Sequence, residues 1–311
     1  MTGNREKYPQ IIQEPKTVRV DDENYTVYKF IFKGLSDLYN YLKSNPEINR
    51  DVFDGELASI ENSYDFAGIP YEQAVEQLVN YNDPKYREFL TLSTKTQVKN
   101  LKRGAKFQST NSVAGGIVRP HALAVGDPEF YRTTKIIKTN NVVNIHTITN
   151  YLADTSKSQV FNKAVILTNV IHALEKQGYK VNVNAFSASE ASHEIIDVDL
   201  NIKGNNTGVN YQALYRSLCN VEFLRRIIFR VRETSDVKGY WSGYGSTISE
   251  DFAREYLKVG KDDLYFGTPD ELRIYGEDIS LDFERAVEEL KLDDKIDVER
   301  AKVLIKKSMN Q

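Results

Sequence analysis

Cysteine is almost missing from this chain. Cys219 stands alone among 311 residues, so no internal disulfide can form and a multi-cysteine zinc site is excluded. A reducing compartment is the matching environment. Long apolar runs are missing too, and no stretch reaches the length of a membrane span. Residues 1–14 are polar and charged, without the apolar core of a signal peptide, so the expected location is the cytoplasm. Neither sign of charge dominates: 41 Lys and Arg stand against 44 Asp and Glu, a net charge of -3. The whole chain is therefore no polycation, and nucleic-acid binding would need a local basic patch. There is no internal repeat and no low-complexity tract. The histidines His121, His146, His172 and His193 form no close ligand pair. Gly239–Gly245 is glycine-rich but lacks the Gly-Lys-Ser/Thr ending of a phosphate loop. What remains is a globular composition long enough for one large domain with appendages, or for two.

The stretch 142–186 organises the rest. Val142–Ile148 reads as a strand and Gln159–Gln177 as a long apolar helix. Gly178 stops the helix, and Lys180–Phe186 reads as a second strand. That is one βαβ unit, the building block of an open parallel sheet. Val160, Ala164, Leu167, Ile171 and Leu174 form one helical stripe, widened by Phe161, Val165 and Val170, so this helix should pack on a sheet and a neighbour. Upstream, Tyr25–Lys33 alternates like a half-buried strand, and helices are expected from Ser36, over Tyr71–Asn80 and over Pro84–Leu92. Arg132–Lys138 is a further strand candidate. Glu194–Ile202 alternates Ile196, Val198, Leu200 and Ile202 with Asp197, Asp199 and Asn201, which fits an antiparallel or edge strand with one wet face. Helices follow over Asn210–Asn220, Val221–Glu233, Ser249–Val259, Ser280–Leu290 and Asp297–Ser308, the last with Asp297 as N-cap. The expected fold is α/β, a Rossmann-like open sheet in a domain over 113–248. A smaller mixed N-terminal region covers 1–112, and a helical C-terminal tail covers 249–311.

Three constellations carry chemistry. Asp154-x-Ser156-x-Ser158 lies between strand and helix, at the end of the sheet where open α/β folds bind ligands. In von Willebrand factor A-like domains this pattern holds a divalent ion, with a threonine from a later loop that Thr207 resembles. One carboxylate and hydroxyls suit Mg²⁺. The alternative is that these residues cap the helix. Second, Lys95, Lys99, Lys102, Arg103 and Lys106 are either a phosphate-binding patch on one helix face or a solvated linker. Third, Arg225, Arg226, Arg230 and Arg232 lie near Tyr240, Trp241 and Tyr244. They could meet phosphates and bases, or a protein partner, where Trp, Tyr and Arg concentrate. The alternative is a solvated arginine face with the aromatics closing the core. His193 beside Glu194 is a weak acid/base pair, and Cys219 reads as a buried structural thiol.

Several segments together resemble a family of uncharacterised bacteriophage and prophage proteins. They are Phe66-Ala67-Gly68 with Tyr71-Glu72-Gln73-Ala74, Arg119-Pro120 through Asp127-Pro128 with Tyr131-Arg132, Glu175–Gly178 before Tyr179-Lys180-Val181, and Glu222–Arg226 with Phe229–Glu233. They span roughly residues 64–246. The resemblance implies a phage or prophage origin and a von Willebrand A-like α/β domain, and brings no activity with it. The expected function is a non-enzymatic binding protein that contacts a host or phage protein, in the host cytoplasm or in the virion, with homo-oligomerisation open. Nucleic-acid binding and Mg²⁺-dependent catalysis are the alternatives.

Overall fold

The computed structural model describes residues 15–44, 48, 57–80, 83–93, 105–112, 117–138, 142–191, 193–234, 247–293 and 296–309. Strands β1 (Lys16–Val20) and β2 (Glu23–Phe32) form a hairpin. Asp21 and Asp22 turn it, both at positive φ, as a tight two-residue turn requires. Helix α1 (Leu35–Lys43) follows, then the short helices α2 (Ala58–Glu61), α3 (Tyr64–Ala67), α4 (Tyr71–Gln77) and α5 (Lys85–Ser93). Next come β3 (Ala105–Ser112), β4 (Ile117–Val118), α6 (Pro120–Ala124) and β5 (Tyr131–Lys138). The central unit is β6 (Val142–Ile148), α7 (Lys157–Lys176) and β7 (Lys180–Ala191). After it come β8 (Glu194–Lys203), α8 (Tyr211–Leu218), a π-helical stretch Phe223–Ile228 and its continuation α9 (Phe229–Arg232). The chain closes with α10 (Glu250–Tyr256), β9 (Leu264–Phe266), α11 (Ile279–Glu289) and α12 (Val298–Met309).

The fold is α/β and Rossmann-like. Six strands form one open sheet in the order β1-β2-β8-β7-β6-β9. The βαβ unit forms as the sequence requires: β6 and β7 pair in parallel, and Gly178 ends the helical segment at a φ of 89°. Val143, Ile145, Val181, Val183, Ala185, Val198 and Leu200 face α7, whose Val160, Ala164, Leu167, Ile171 and Leu174 complete the larger core. Helices α5, α8 and α11 flank α7, which explains an apolar surface wider than one stripe. The opposite face packs Val27, Ile148, Phe186, Ala188 and Ile195 under Phe252, Ala253 and Tyr256 of α10.

Three expectations are corrected. First, the α/β sheet is not confined to 113–248. The sheet takes β1 and β2 from the first segment and β9 from the last, because the open edges of β8 and β6 carry backbone donors and acceptors that need partners. Second, of the two placements expected for β8 the antiparallel one holds and the edge one does not: it pairs antiparallel with β7 and lies between β2 and β7, with Asp197 buried and Asp199 and Asn201 partly exposed. Third, Lys106 lies in β3, a strand, not on a shared helical face with the other lysines.

Strands β3, β5 and β4 make a second, three-stranded antiparallel sheet. Among the described side chains, none between 94 and 141 belongs to either core cluster. This sheet is appended in that, among the described residues, none of its strands pairs with a strand of the first.

Candidate functional site

The Asp154 motif resolves into a helix cap. Ser156 Oγ accepts from Gln159 N at 3.2 Å, and Gln159 Oε1 accepts from Ser156 N at 2.8 Å, a reciprocal capping box. Ser158 Oγ lies 3.0 Å from Ser156 Oγ, and Asp154 is exposed. Gly276 closes over the same end: a Cβ there would sit 2.6 Å from Ser158 Oγ and 2.9 Å from Gln159 N. Thr207 is not brought to this place. Strand β8 is antiparallel to β7, so the turn after it returns to the starting end of β6 and β7, where Lys203 meets Glu175 at 2.8 Å. From Ser158 to Glu175 is about 25 Å of helix. The structure therefore does not bring the four expected Mg²⁺ residues together: Ser156 caps α7, and Thr207 lies in a distant turn, where its Oγ1 donates to Gly204 O. Among the described residues no group of three or more His, Cys, Asp or Glu is placed to hold a metal ion.

The arginines turn inward. Arg226 is 1% exposed and donates to the carbonyls of Ser59, Ile60, Asn62 and Ile69 at 2.8–3.1 Å. Arg225 donates to the carbonyls of Phe66, Leu152 and Ala153, with its guanidinium 4.0 Å from the Phe66 ring centre. Arg232 is fully buried and donates to Ser187 Oγ at 2.6 Å and Asn150 Oδ1 at 3.2 Å. Arg230 is half-buried over the Tyr71 ring, 3.8 Å from Glu233. The reason is local. Residues 223–228 wind as a π-helix, with α2, α3, α4 and α8 packed around it, so successive side chains point into protein on every side. The expected arginine contact face is thus an internal set of staples. Lys95, Lys99, Lys102, Arg103, Tyr240, Trp241 and Tyr244 lie outside the described residues.

A different cluster occupies the α10 side of the sheet. The register sets Lys29 of β2 opposite Asp197 of β8, and Ile31 opposite Asp199. Lys29 Nζ lies 2.8 Å from Asp197 and 2.6 Å from Asp199. Tyr256 of α10 donates its hydroxyl to Asp197 at 2.6 Å. Asp197 is fully buried, and its Oδ1 has no hydrogen-bond partner among the described residues. Burial pulls the Lys29 ammonium down, but the two carboxylates more than reverse this and hold it above its usual range. Burial and the charge of Asp197 push Asp199 up to about 7, against the pull of Lys29. Burial also raises Tyr256, and lowers His146 of β6, so its imidazole is neutral at neutral pH.

A pocket of about 450 Å³ opens here, lined by Lys29, Asp199, His146, Asn184 and Tyr256, with Val18, Val27, Ile31 and Leu257 as apolar wall and Lys16 exposed beside them. An amide ladder leads away from it across the sheet. Asn201 donates to Asn184 and Asn182, Asn182 to Asn144, and Asn144 to Asp263. The sequence carried one sign of this cluster, the polar alternation Asp197-x-Asp199-x-Asn201, read as a wet face. Lys29, next to the apolar run Phe30-Ile31-Phe32 of β2, is the other sign.

Elsewhere, Lys163 is buried in α7, donates to Ile148 O, and is lowered by burial to about 7. The cavity beside it, about 20 Å³, has room for roughly one water. His193 faces Glu23 at 3.4 Å rather than pairing with Glu194, and Cys219 is buried.

The appended sheet offers a surface of another kind. On β4, Ile117 is 75% exposed and Val118 is exposed as well; Leu123 of α6 is 51% exposed and Val125 after it 67%.

The family described as a domain of unknown function (DUF7192) matches residues 11–294. No curated protein and no solved structure matches the chain. Among the described residues no helix is long and apolar enough to cross a membrane.

Proposed function

The chain belongs to the DUF7192 family, and from that premise we propose that it is a non-enzymatic binding protein, acting through contacts between its appended sheet and another protein. One observation carries this reading. Ile117 and Val118 of β4, Leu123 of α6 and Val125 after it lie exposed within a single short stretch, where no described side chain belongs to either core cluster. Exposed apolar side chains close together in the chain fit a contact with another protein, which would take them out of water. The motifs at 66–74, 119–132 and 222–233 support placing the protein in a bacteriophage or prophage, with a host or phage protein as partner.

The test is affinity capture with the tagged full-length chain from infected cells, with and without nuclease. The expected result is a stoichiometric protein partner that survives nuclease and is lost by the Ile117→Asp, Val125→Asp double variant. A partner set that disappears with nuclease overturns the reading in favour of nucleic acid. Capture that the double variant leaves unchanged rejects the appended sheet as the contact.

A further inference from the structure

We propose that the pocket bounded by Lys29, Asp199, His146 and Tyr256 is a binding site for a small organic cation, an amine carried on a compact apolar body. It shares no residue with the appended sheet, and it stands or falls independently of the protein-contact reading.

The inference follows from charge and donor balance. Two carboxylates, Asp197 and Asp199, stand against one ammonium, Lys29, which is committed to both at 2.8 and 2.6 Å. The Tyr256 hydroxyl is committed to Asp197 as well. Asp197 Oδ1 is left without a donor among the described residues, in a side chain with no exposure at all. His146, on β6, is neutral because burial lowers it, and Asp263 only partly offsets that. Lys16, on β1, is exposed at the lining, where water screens it. The cluster therefore sets two carboxylates against one partly buried ammonium, with the uncharged N–H groups of His146 and Asn184 beside them, and is short of positive charge.

A buried site in that state takes up a cation. In the free protein the proton plays this part, which is why Asp199 holds its proton up to about 7. An alkylammonium head would replace the proton, and Val18, Val27, Ile31 and Leu257 would receive the apolar body. The space, about 450 Å³, falls within the range of small-molecule sites. An anion would face the charge of two carboxylates, and Lys29 is already held by both. A neutral alcohol leaves the charge uncompensated.

Because the cation and the Asp199 proton compete, amine affinity should rise as pH rises through about 7. Between about pH 6 and about pH 8 the ionised fraction of a group titrating near 7 changes about tenfold, and the apparent affinity changes with it. The experiment is calorimetric titration of the full chain with benzylamine, n-butylamine, benzyl alcohol and benzoate at those two pH values. The expected result is one saturable site for an amine, about tenfold tighter at the higher pH, with proton release seen as buffer-dependent heat. Benzyl alcohol and benzoate should give no site. Asp199→Asn should abolish amine binding and its pH dependence while keeping a cooperative melt, and Ile31→Trp should block the site by filling it without changing its charge. Absence of saturable binding for both amines overturns the proposal. So does equal binding of benzyl alcohol or benzoate, or amine binding that neither variant changes.

Discussion

Arg226 illustrates how a charged side chain can serve as scaffold. Its guanidinium reaches four backbone carbonyls in the segment Ser59–Ile69, none of which has an ammonium or a hydroxyl to replace it. Removing it leaves buried acceptors unsatisfied. Arg226→Ala should cost roughly 3 kcal/mol or more, read as a lower denaturant midpoint. Lysine should not rescue it, because one ammonium cannot span four carbonyls. Asp199 acts through pH. Its carboxyl holds a proton up to about 7 in the folded chain but only to about 4 when unfolded. Between those values the native state binds more protons, so stability is fully present below about pH 4 and declines as pH rises toward about 7. Chemical denaturation across that window should show the decline in the parent and a flatter profile in Asp199→Asn. An equally steep profile in the variant would place the titration on another group.

Helix α7 separates a cap from a metal site. The capping box of Ser156 and Gln159 and the close approach of Gly276 account for the polar residues at its start. Ser156→Ala should therefore lose about 1 kcal/mol, with the same loss whether Mg²⁺ or a chelator is present. A loss that appears only with Mg²⁺ would restore the metal reading. The first turn of α7 is further tied to the C-terminal elements. Asn162 Nδ2 donates to Asp282 of α11 at 2.8 Å, and the backbone N–H groups of Tyr275 and Gly276 donate to the same carboxylate at 2.9 Å. That one buried aspartate joins α7, α11 and the loop between β9 and α11.

The molecule as a whole is closed by its C-terminal sixth. Ile274, Phe283, Val287, Ile296 and Ile305 are fully buried in the same core as α7, and β9 covers the edge of β6. A chain ending at residue 248 should fail to give a cooperative melt, because the larger core would be open on one side. Replacing 94–141 by a Gly–Ser linker should keep the cooperative melt, since no described side chain there enters a core cluster. Thermal denaturation followed by circular dichroism reads both. A folded 1–248 fragment would reinstate a separable C-terminal tail.

The elements were legible in the sequence wherever a single period ran long enough. The βαβ unit, the strand through Tyr25–Lys33 and the last three helices all carry their own pattern, stops or caps, and local burial agrees with it. The capping of α7 was legible as well, as one of two readings of the same residues. Three features were decided by packing between distant segments. The pairing of β2 with β8 placed Lys29 between Asp197 and Asp199, although they lie far apart in the chain. The antiparallel course of β8 carried Thr207 away from Ser158. The crowding around the π-helical stretch turned Arg225, Arg226 and Arg232 into the interior. A periodic pattern reports which face of an element is buried, through the short-range geometry of the backbone. It does not report what the other face meets, because that depends on which strand lies alongside and in which direction it runs.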